Sequence, residues 1–415
     1  MFDRWYMQVL REKIERPFVH ILFGARQTGK STLLGELLPQ NTVQINLADP
    51  AVRARHAADP GEFARICLAI PPEPQGRTVF VDEAQAVPSI FNAVQHLYES
   101  NKKRWRFVLC GSSARKLRAT GANLLPGRCF LHRLYPLVLA EQPPRTVPAA
   151  TDIQSPLPLP WPADGAPARP FPAWDLETRL AHGSLPGVVA AAEQDRADIL
   201  RAFIAVHLEE EIRRETQVRD FGVFLRFLRF AALESGQVLN YTAVSQEAGT
   251  SGHTVKAYYQ MLEDMFVGFH VPAFSGSPRK NMLSTSRFFF FDLGVRHAAA
   301  GLAPSRDMVL GNPGPLFEQW VGIELWKRLH YLGNGQLSYF RTRDGAEIDF
   351  VIEREGKLTP IEVKWTEHPG PTDARHVRRF ITEHPGLVTT GYIVCRCPAP
   401  QLIEDKVLAL PWQCL

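Results

Sequence analysis

Between Val19 and Leu139 short apolar runs alternate with segments of helical pattern: VHILF, TVQINL, TVFVDE, FVLCGSS and CFLHRL read as strands. Uninterrupted apolar runs separated by amphipathic stretches predict an α/β domain with a buried parallel sheet. The pattern stops at residues 143–172, which hold ten of the chain's 33 prolines. Proline gives a sheet no donor and disfavours helix in the residue before it, so this segment is expected to be an exposed, polyproline-like excursion, either a passive insertion or a partner-docking stretch. Residues 175–235 read as helical, with charges spaced for i,i+4 pairing along LEEEIRRETQVRDFGVFLRFLRFAALES. A short helix around Thr242 to Ala248, a tight Gly249-Thr250-Ser251-Gly252, a helix from His253 to Met265 and an apolar strand then predict a winged-helix-like element. The remainder reads α-β-β-β-α-β: a helix from Leu316 to Tyr331, strands LSYFRTR, AEIDFVIE and TPIEVKW, a helix from Thr372 to Glu383, and strand GYIVC. The expected divisions are 1–142, 143–174, 175–235, 236–314 and 315–415.

Composition narrows this picture. At 415 residues, with 45% hydrophobic residues and 47 Lys or Arg against 43 Asp or Glu, the chain is expected to fold as two or three domains rather than to be disordered. No run approaches the roughly 18 apolar residues of a membrane span. The opening MFDRWYMQVLREKIERPF places charges where a signal peptide needs an apolar core, so a cytoplasmic protein without membrane contact is expected. Six cysteines without CxxC spacing suggest reduced thiols rather than zinc ligands or disulfides. Cys395 and Cys397 fall on one face of the last predicted strand.

Gly24-Ala25-Arg26-Gln27-Thr28-Gly29-Lys30-Ser31 matches GxxxxGK[ST] between an apolar strand and the helix-forming STLLGELL. A glycine-permissive loop opening into a helix N-terminus can wrap triphosphate oxygens with backbone N–H groups, which makes Gly24 to Thr32 the expected ATP-binding segment. Lys30 would contact the β and γ phosphates and Ser31 would ligate Mg²⁺. In TVFVDE the strand delivers Asp82 as a second metal-holding group, and Glu83 as the group that polarises the attacking water. The alternative for Glu83 is a cap on the following helix. Ser112, after the next strand, would sense the γ-phosphate or help place the water. From Ser100 to Ala140 the chain carries nine Lys or Arg, including Arg115, Lys116, Arg118 and Arg128, and no Asp or Glu. Such a window suits DNA phosphates, a neighbouring subunit's nucleotide, or a solvated basic face. Arg128, following Leu125-Pro126-Gly127, is the candidate for an arginine reaching transition-state charge across a subunit boundary.

In the helix-turn-helix, Ser251, His253, Thr254, Lys256 and Tyr259 open the second helix, with Arg279, Lys280 and Arg287 beyond it on the expected wing. These residue types suit phosphate and base-edge contacts, though the same module could simply pack domains together. In the last segment Asp349 stands in AEIDFVIE, while Glu362 and Lys364 share one face of PIEVKW. If those strands form a hairpin, Asp349 and Glu362 become two oxygen ligands for Mg²⁺, beside a lysine that orients water or neutralises a pentavalent phosphate. Glu318 on the preceding helix could add a third carboxylate.

FGARQTGKSTLL, FVDEAQ, LCGSSARKL, ANLLPGR and LYPL, with GQVLNYTAVSQEAGTSGHTVKAYYQMLED, EIDFVIE and PIEVK, together resemble predicted AAA-type ATPases of bacteria and archaea. Those proteins carry a C-terminal domain similar to PD-(D/E)xK nucleases. The resemblance spans nearly the whole chain. It implies ATP hydrolysis with Mg²⁺, assembly of copies into a ring, a winged-helix element, and Glu318, Asp349, Glu362 and Lys364 as the nuclease-like metal and catalytic positions. The expected function is an ATP-hydrolysing motor or remodeller on DNA, including branched or recombining DNA such as a Holliday junction. The alternative is an ATP-dependent switch or scaffold with an inactive nuclease-like domain. The proline-rich stretch departs from the family pattern.

Overall fold

A computed structural model describes residues 2–74, 76–113, 127–146, 157–159, 167–208, 212, 218, 220–275, 285–342 and 345–415. The chain forms two compact units: Asp3–Tyr135 with Gln260–Val267, and Met1–Phe2, Pro136–Tyr259 and Gly268–Leu415.

The first unit is built on five parallel strands, β1 (Val19–Phe23), β2 (Val43–Asn46), β3 (Arg77–Asp82), β4 (Trp105–Gly111) and β5 (Cys129–Arg133), in the order β2-β3-β4-β1-β5. All five coincide with runs expected as strands. The central β1, β3 and β4 are nearly continuously buried, whereas edge strands β2 and β5 are largely open to solvent. Val19, Ile21, Val79, Val81, Phe107 and Leu109 pack with Phe63, Phe91 and Leu97 into the core of this unit. Parallel pairing has a direct consequence, because every strand ends on the same edge of the sheet. The registers Phe23↔Gly111 and Val81↔Leu109 bring the loops after β1, β3 and β4 close to one level.

The second unit begins with helices Leu176–His182, Pro186–Ala190, Glu193–Ala202 and Phe221–Leu233, while most of the charge-rich stretch 208–220 lies outside the described residues. Helices Tyr241–Ala248 and Gly252–Asp264 follow, separated by Gly249 in the left-handed region at φ 70°, a conformation that a side chain disfavours. Antiparallel β6 (Gly268–Val271) and β7 (Arg287–Phe290) come next. This is two helices and a ribbon in the expected order. Arg279 and Lys280 lie outside the described residues.

Helix Pro313–Leu332 is apolar on most of its circumference and packs on a six-stranded sheet. The sheet comprises β8 (Gln336–Arg341), β9 (Glu347–Arg354), β10 (Lys357–Val363), β11 (Gly391–Cys395), β12 (Gln401–Glu404) and β13 (Val407–Pro411), ordered β12-β13-β11-β10-β9-β8. Helix Arg375–Glu383 lies between β10 and β11 in sequence. The α-β-β-β-α-β succession is present, but the sequence reading omitted the hairpin β12–β13. Its two short strands meet at Asp405-Lys406, where the charges of Glu404, Asp405 and Lys406 interrupt the apolar pattern and Lys406 turns at φ 61°.

Three charges on helix Pro313–Leu332 are buried. The Glu324 carboxylate accepts from the Leu139 N–H at 2.7 Å, the Lys327 ammonium donates to the Leu137 carbonyl at 3.1 Å and the Ser184 hydroxyl at 2.9 Å, and Arg328 donates to the Leu159 carbonyl. Buried backbone groups in irregular segments need partners, and this helix supplies them. The proline-rich stretch is therefore not the wholly exposed excursion expected from its composition. Leu157, Leu159 and Phe171 are buried, and Phe171 N–H donates to Glu141 O at 2.8 Å. Among the described residues of the stretch, Leu157, Leu159 and Phe171, each between two prolines, are buried where backbone donors are scarce.

Leu159→Ala is accordingly expected to destabilise the protein by about 2–5 kcal/mol, as for a buried leucine, rather than by the few tenths typical of a loop. Urea denaturation measures it; an unchanged midpoint would contradict the buried placement.

Candidate functional site

The loop after β1 is shaped by backbone geometry. Gly29 sits at φ +88° and Gln27 at φ 61°, and a Cβ on Gly24 would fall 2.2 Å from the Leu134 carbonyl oxygen, so no larger residue fits there. Gly29 opens helix Lys30–Leu37, whose first turn carries Ser31 and Thr32 on the exposed side. Ala25 and Thr28 are buried, and the Thr28 hydroxyl closes the loop by donating to the Ala25 carbonyl at 2.9 Å. The Lys30 ammonium folds back over the loop and donates to the carbonyls of Gly24 at 2.8 Å and Ala25 at 2.9 Å. Arg26 and Gln27 form the outer turn, half-buried and exposed respectively.

Asp82 ends β3, and its carboxylate accepts from the Ser31 hydroxyl at 2.7 Å, joining the two sequence motifs. A hydroxyl and a carboxylate in contact, beside a helix N-terminus and a lysine, make an oxygen-rich setting that fits Mg²⁺ with a triphosphate. Glu83 follows in the left-handed region, φ 53° and ψ 40°, and makes no side-chain cap, which disposes of the capping alternative. Its carboxylate instead accepts from the Gln85 amide and, at 3.3 Å, from the Ser112 hydroxyl. The Gln85 amide nitrogen also reaches the Ser112 hydroxyl at 3.1 Å. The orientation of that amide follows from its carboxylate neighbour, which can only accept.

Two residues in this arrangement escaped the sequence reading. Gln85 is one; the FVDEAQ run contained it, but nothing in its spacing indicated a bond back to Glu83. Arg4 is the other. Its guanidinium, 6% exposed, donates to the Thr28 carbonyl at 2.6 Å and the Tyr135 carbonyl at 2.8 Å, bracing the phosphate loop. A lone arginine before the first strand carries no local signal of that role. Arg128 lies just before β5 and ion-pairs with Glu99 at 2.7 Å within the same unit, so action on another copy's nucleotide would cost that pair. Arg115, Lys116 and Arg118 lie outside the described residues.

The second set gathers around the β9–β10 hairpin. Ile361↔Phe350 pairing brings Asp349 beside the end of β10, where its carboxylate accepts from Val363 N–H at 2.8 Å. Lys364 donates to Glu362 at 2.7 Å. Glu318, on helix Pro313–Leu332, accepts from Arg287 Nη1 at 2.7 Å, and the other terminal nitrogen of Arg287 pairs with Glu347. Arg287 is thus buried at 6% exposure and held by carboxylates, and it is not the exposed wing contact expected from sequence. Tyr259 is likewise corrected: at 1% exposure its ring is core, packed on Phe227 and Phe288, while Ser251, His253 and Lys256 remain exposed. Thr254 is half-buried, its N–H capped by the Ser251 hydroxyl at 3.1 Å. Tyr259 lies on the inward stripe of its helix, a face that residue type alone did not reveal.

Among the described residues no three His, Cys, Asp or Glu side chains converge closely enough to hold a metal ion. The carboxylates nevertheless feel one another. Burial, and then the Asp349 carboxylate, push Glu318 and Glu362 each up to about 8, and burial also raises Asp349. Glu362 Oε2 is buried without a hydrogen-bond partner. An unpaired buried oxygen in an acidic cluster fits a missing cation or proton.

A folded-state pKa near 8 against an ordinary 4.5 means that the folded protein binds the extra proton, so this cluster's contribution to stability falls as pH rises from about 4.5 to about 8. Glu362→Gln removes that term. Thermal melts without divalent cations should show the variant gaining on the wild type across this interval; parallel curves would contradict the assignment.

Three segments match protein-family models: residues 16–142 an AAA domain, 173–306 a domain of unknown function (DUF8612), and 313–415 a domain of unknown function (DUF4143). An uncharacterized protein of Haemophilus influenzae is 23% identical over 385 residues, covering 86% of this chain and 85% of the relative. One of Mycobacterium tuberculosis is 24% identical over 417 aligned positions, covering 97% of this chain and 85% of the relative. Among solved structures, a Drosophila ORC complex bound to AT-rich DNA and Cdc6 aligns at 11% identity and TM-score 0.23, covering 74% of this chain and 90% of that one. A DNA polymerase III gamma subunit-related protein from Thermotoga maritima aligns at 13% and 0.21, covering 78% and 99%. Structural agreement this low carries no argument. No helix among the described residues is long and apolar enough to cross a membrane. The chain therefore carries an AAA domain, with its P-loop, at residues 16–142, and ends in a sheet domain of a family of unknown function at 313–415.

Proposed function

We propose that the protein hydrolyses ATP at the loop Gly24–Thr32 and uses that cycle to act on DNA, working as a homo-oligomer, in a ring, with its C-terminal domain binding or cutting the strand. The observation that carries the ATPase reading is the Ser31–Asp82 contact, which sets the phosphate loop and the strand carboxylate within one hydrogen bond. Loop N–H groups and the start of helix Lys30–Leu37 bind phosphate, and Lys30, now resting on carbonyls, is the cation placed to trade them for phosphate oxygens. Ser31 and Asp82 would hold Mg²⁺, which would supply positive charge against the phosphate oxygens. Glu83 orients a water and takes its proton on the carboxylate, while Gln85 and Ser112 hold that carboxylate in place. Arg128 remains the proposed contributor to a neighbouring copy's site.

DNA is supported by the one-sign basic window from Ser100 to Ala140 and by exposed Ser251, His253 and Lys256 at the start of helix Gly252–Asp264. A strand's phosphates suit such residues, and branched or recombining DNA is the proposed substrate. For the C-terminal domain, Asp349, Glu362 and Glu318 are the proposed metal-holding groups, and Lys364 the group that positions water or neutralises charge. One observation favours the second reading, an ATP-dependent switch or scaffold with an inactive domain: Glu318 is engaged by Arg287, and the acids, though near one another, are not drawn together closely enough to hold an ion.

ATP hydrolysis with and without linear and branched DNA, beside a Mg²⁺-dependent nicking assay, tests this. Lys30→Ala is expected to abolish turnover, and Glu83→Gln to lower it by about 10²–10⁴ while keeping ATP bound. DNA should raise the rate at low salt and lose that effect at high salt. Asp349→Ala should remove nicking and spare hydrolysis. Turnover by Lys30→Ala would remove the assigned site; hydrolysis indifferent to every DNA, with no nicking, would favour the switch.

A further inference from the structure

The acidic cluster of the C-terminal domain has its own arginine. Four carboxylates, those of Glu318, Glu347, Asp349 and Glu362, meet two cations inside it, Arg287 and Lys364, with Arg341 at the exposed rim 3.9 Å from Glu347. With every carboxyl ionised and the rim set aside, four negative charges and two positive ones would leave two negative charges, the complement of one divalent cation, and without an ion the raised carboxyls of Glu318 and Glu362 offset that excess by holding protons. The two inner cations are held differently. Lys364 sits on Glu362 from the open side, its side chain 39% exposed. Arg287 comes from β7, is 7% exposed at its side chain, lies 4.7 Å over the Tyr339 ring, and spans Glu318 and Glu347 with its two terminal nitrogens. A guanidinium fixed on an aromatic face and forked between two carboxylates is a stable resident, not a surface ion pair.

Two oxygens record what this arrangement leaves undone. Glu318 Oε1 is committed to Arg287. Glu362, 5% exposed, has Oε2 buried with no partner, and it lies within electrostatic range of both Asp349 and Glu318. One acid is claimed by the arginine, and another keeps one buried oxygen without a hydrogen-bond partner while Lys364 holds its other oxygen. We propose that Arg287 is an internal counter-ion that competes with a divalent cation for Glu318, so that the site formed with Asp349 and Glu362 takes its metal only as the Arg287–Glu318 pair opens. This rests on the reading of the cluster as a cation site and adds to it a control carried by β7. The residue following helix Gly252–Asp264 and β6 in the fold, rather than a group inside the β9–β10 hairpin, then sets how tightly the hairpin holds its ion.

The full chain without nucleotide, titrated with Mn²⁺ and followed by the loss of the free-ion paramagnetic resonance signal, tests this, with thermal melts alongside. Arg287→Gln removes the charge, and Arg287→Lys keeps it while losing the fork. Arg287→Gln is expected to bind Mn²⁺ about tenfold or more tightly than the wild type, since a unit charge a few ångströms away is worth more than the roughly 1.4 kcal/mol that a decade requires. Arg287→Lys should fall between them, and the gain should vanish in Arg287→Gln/Glu362→Gln. If Arg287→Gln folds poorly in EDTA, Mn²⁺ should restore its melting transition, and a transition that Mn²⁺ does not restore counts against the proposal. Equal Mn²⁺ affinity in wild type and Arg287→Gln, both lost on Glu362→Gln, would overturn the counter-ion role and leave the cation site standing. Absence of Glu362-dependent Mn²⁺ binding in every variant would overturn both.

Discussion

The contact on which the account depends is a single hydrogen bond of 2.7 Å between the Ser31 hydroxyl and the Asp82 carboxylate. It closes only because β1 and β3 run parallel with β4 between them, so that the loop after one and the last residue of the other come to the same edge. The glycines at 24 and 29 let the loop turn there, and the apolar faces of β1, β3 and β4 hold the sheet that sets the level. Each layer requires the one beneath it. Without the buried sheet the strand ends would not align, a side chain at Gly24 would collide with the Leu134 carbonyl, and one at Gly29 would be strained at φ +88°.

The second unit is organised differently, around charges taken out of water. Glu324, Lys327 and Arg328 lie on one mostly apolar helix and serve the backbone groups of Leu137, Leu139 and Leu159 and the Ser184 hydroxyl. A buried charge is tolerated when it is paired and hydrogen-bonded, and costs several kcal/mol when it is not. Burial raises the carboxyl of Glu324 and lowers Arg328 to about 10, showing how strongly the site disfavours each charge by itself. Glu324 and Lys327 therefore belong to one network with the irregular chain around them.

What was legible from sequence follows from this contrast. Periodicity located the central strands β1, β3 and β4 because burial on both faces leaves uninterrupted apolar runs, the more open edge strands β2 and β5 kept enough apolar positions to read as strands, and the phosphate loop was legible because its chemistry depends on residues adjacent in sequence. The hairpin of Asp349 and Glu362 was legible because its two strands are apolar runs close together in sequence. Arg4, Gln85 and Arg287 were not, since each acts through a partner that the fold alone brings near: Thr28, Glu83 and Ser112, and Glu318 and Glu347. Tyr259 and Arg287 were mistaken for surface groups because residue type suggests a ligand while burial decides whether one can be reached. Leu157 and Leu159 were overlooked because prolines mask the apolar signal beside them.

The most direct test of the central contact is equilibrium binding of a fluorescent ATP analogue, with and without Mg²⁺, to the wild type and to Asp82→Asn. The wild type should bind more tightly when Mg²⁺ is present, and Asp82→Asn should retain the metal-free affinity while losing that enhancement. An enhancement by Mg²⁺ of the same size in both proteins would contradict the account, because Asp82 would then have no part in holding the ion.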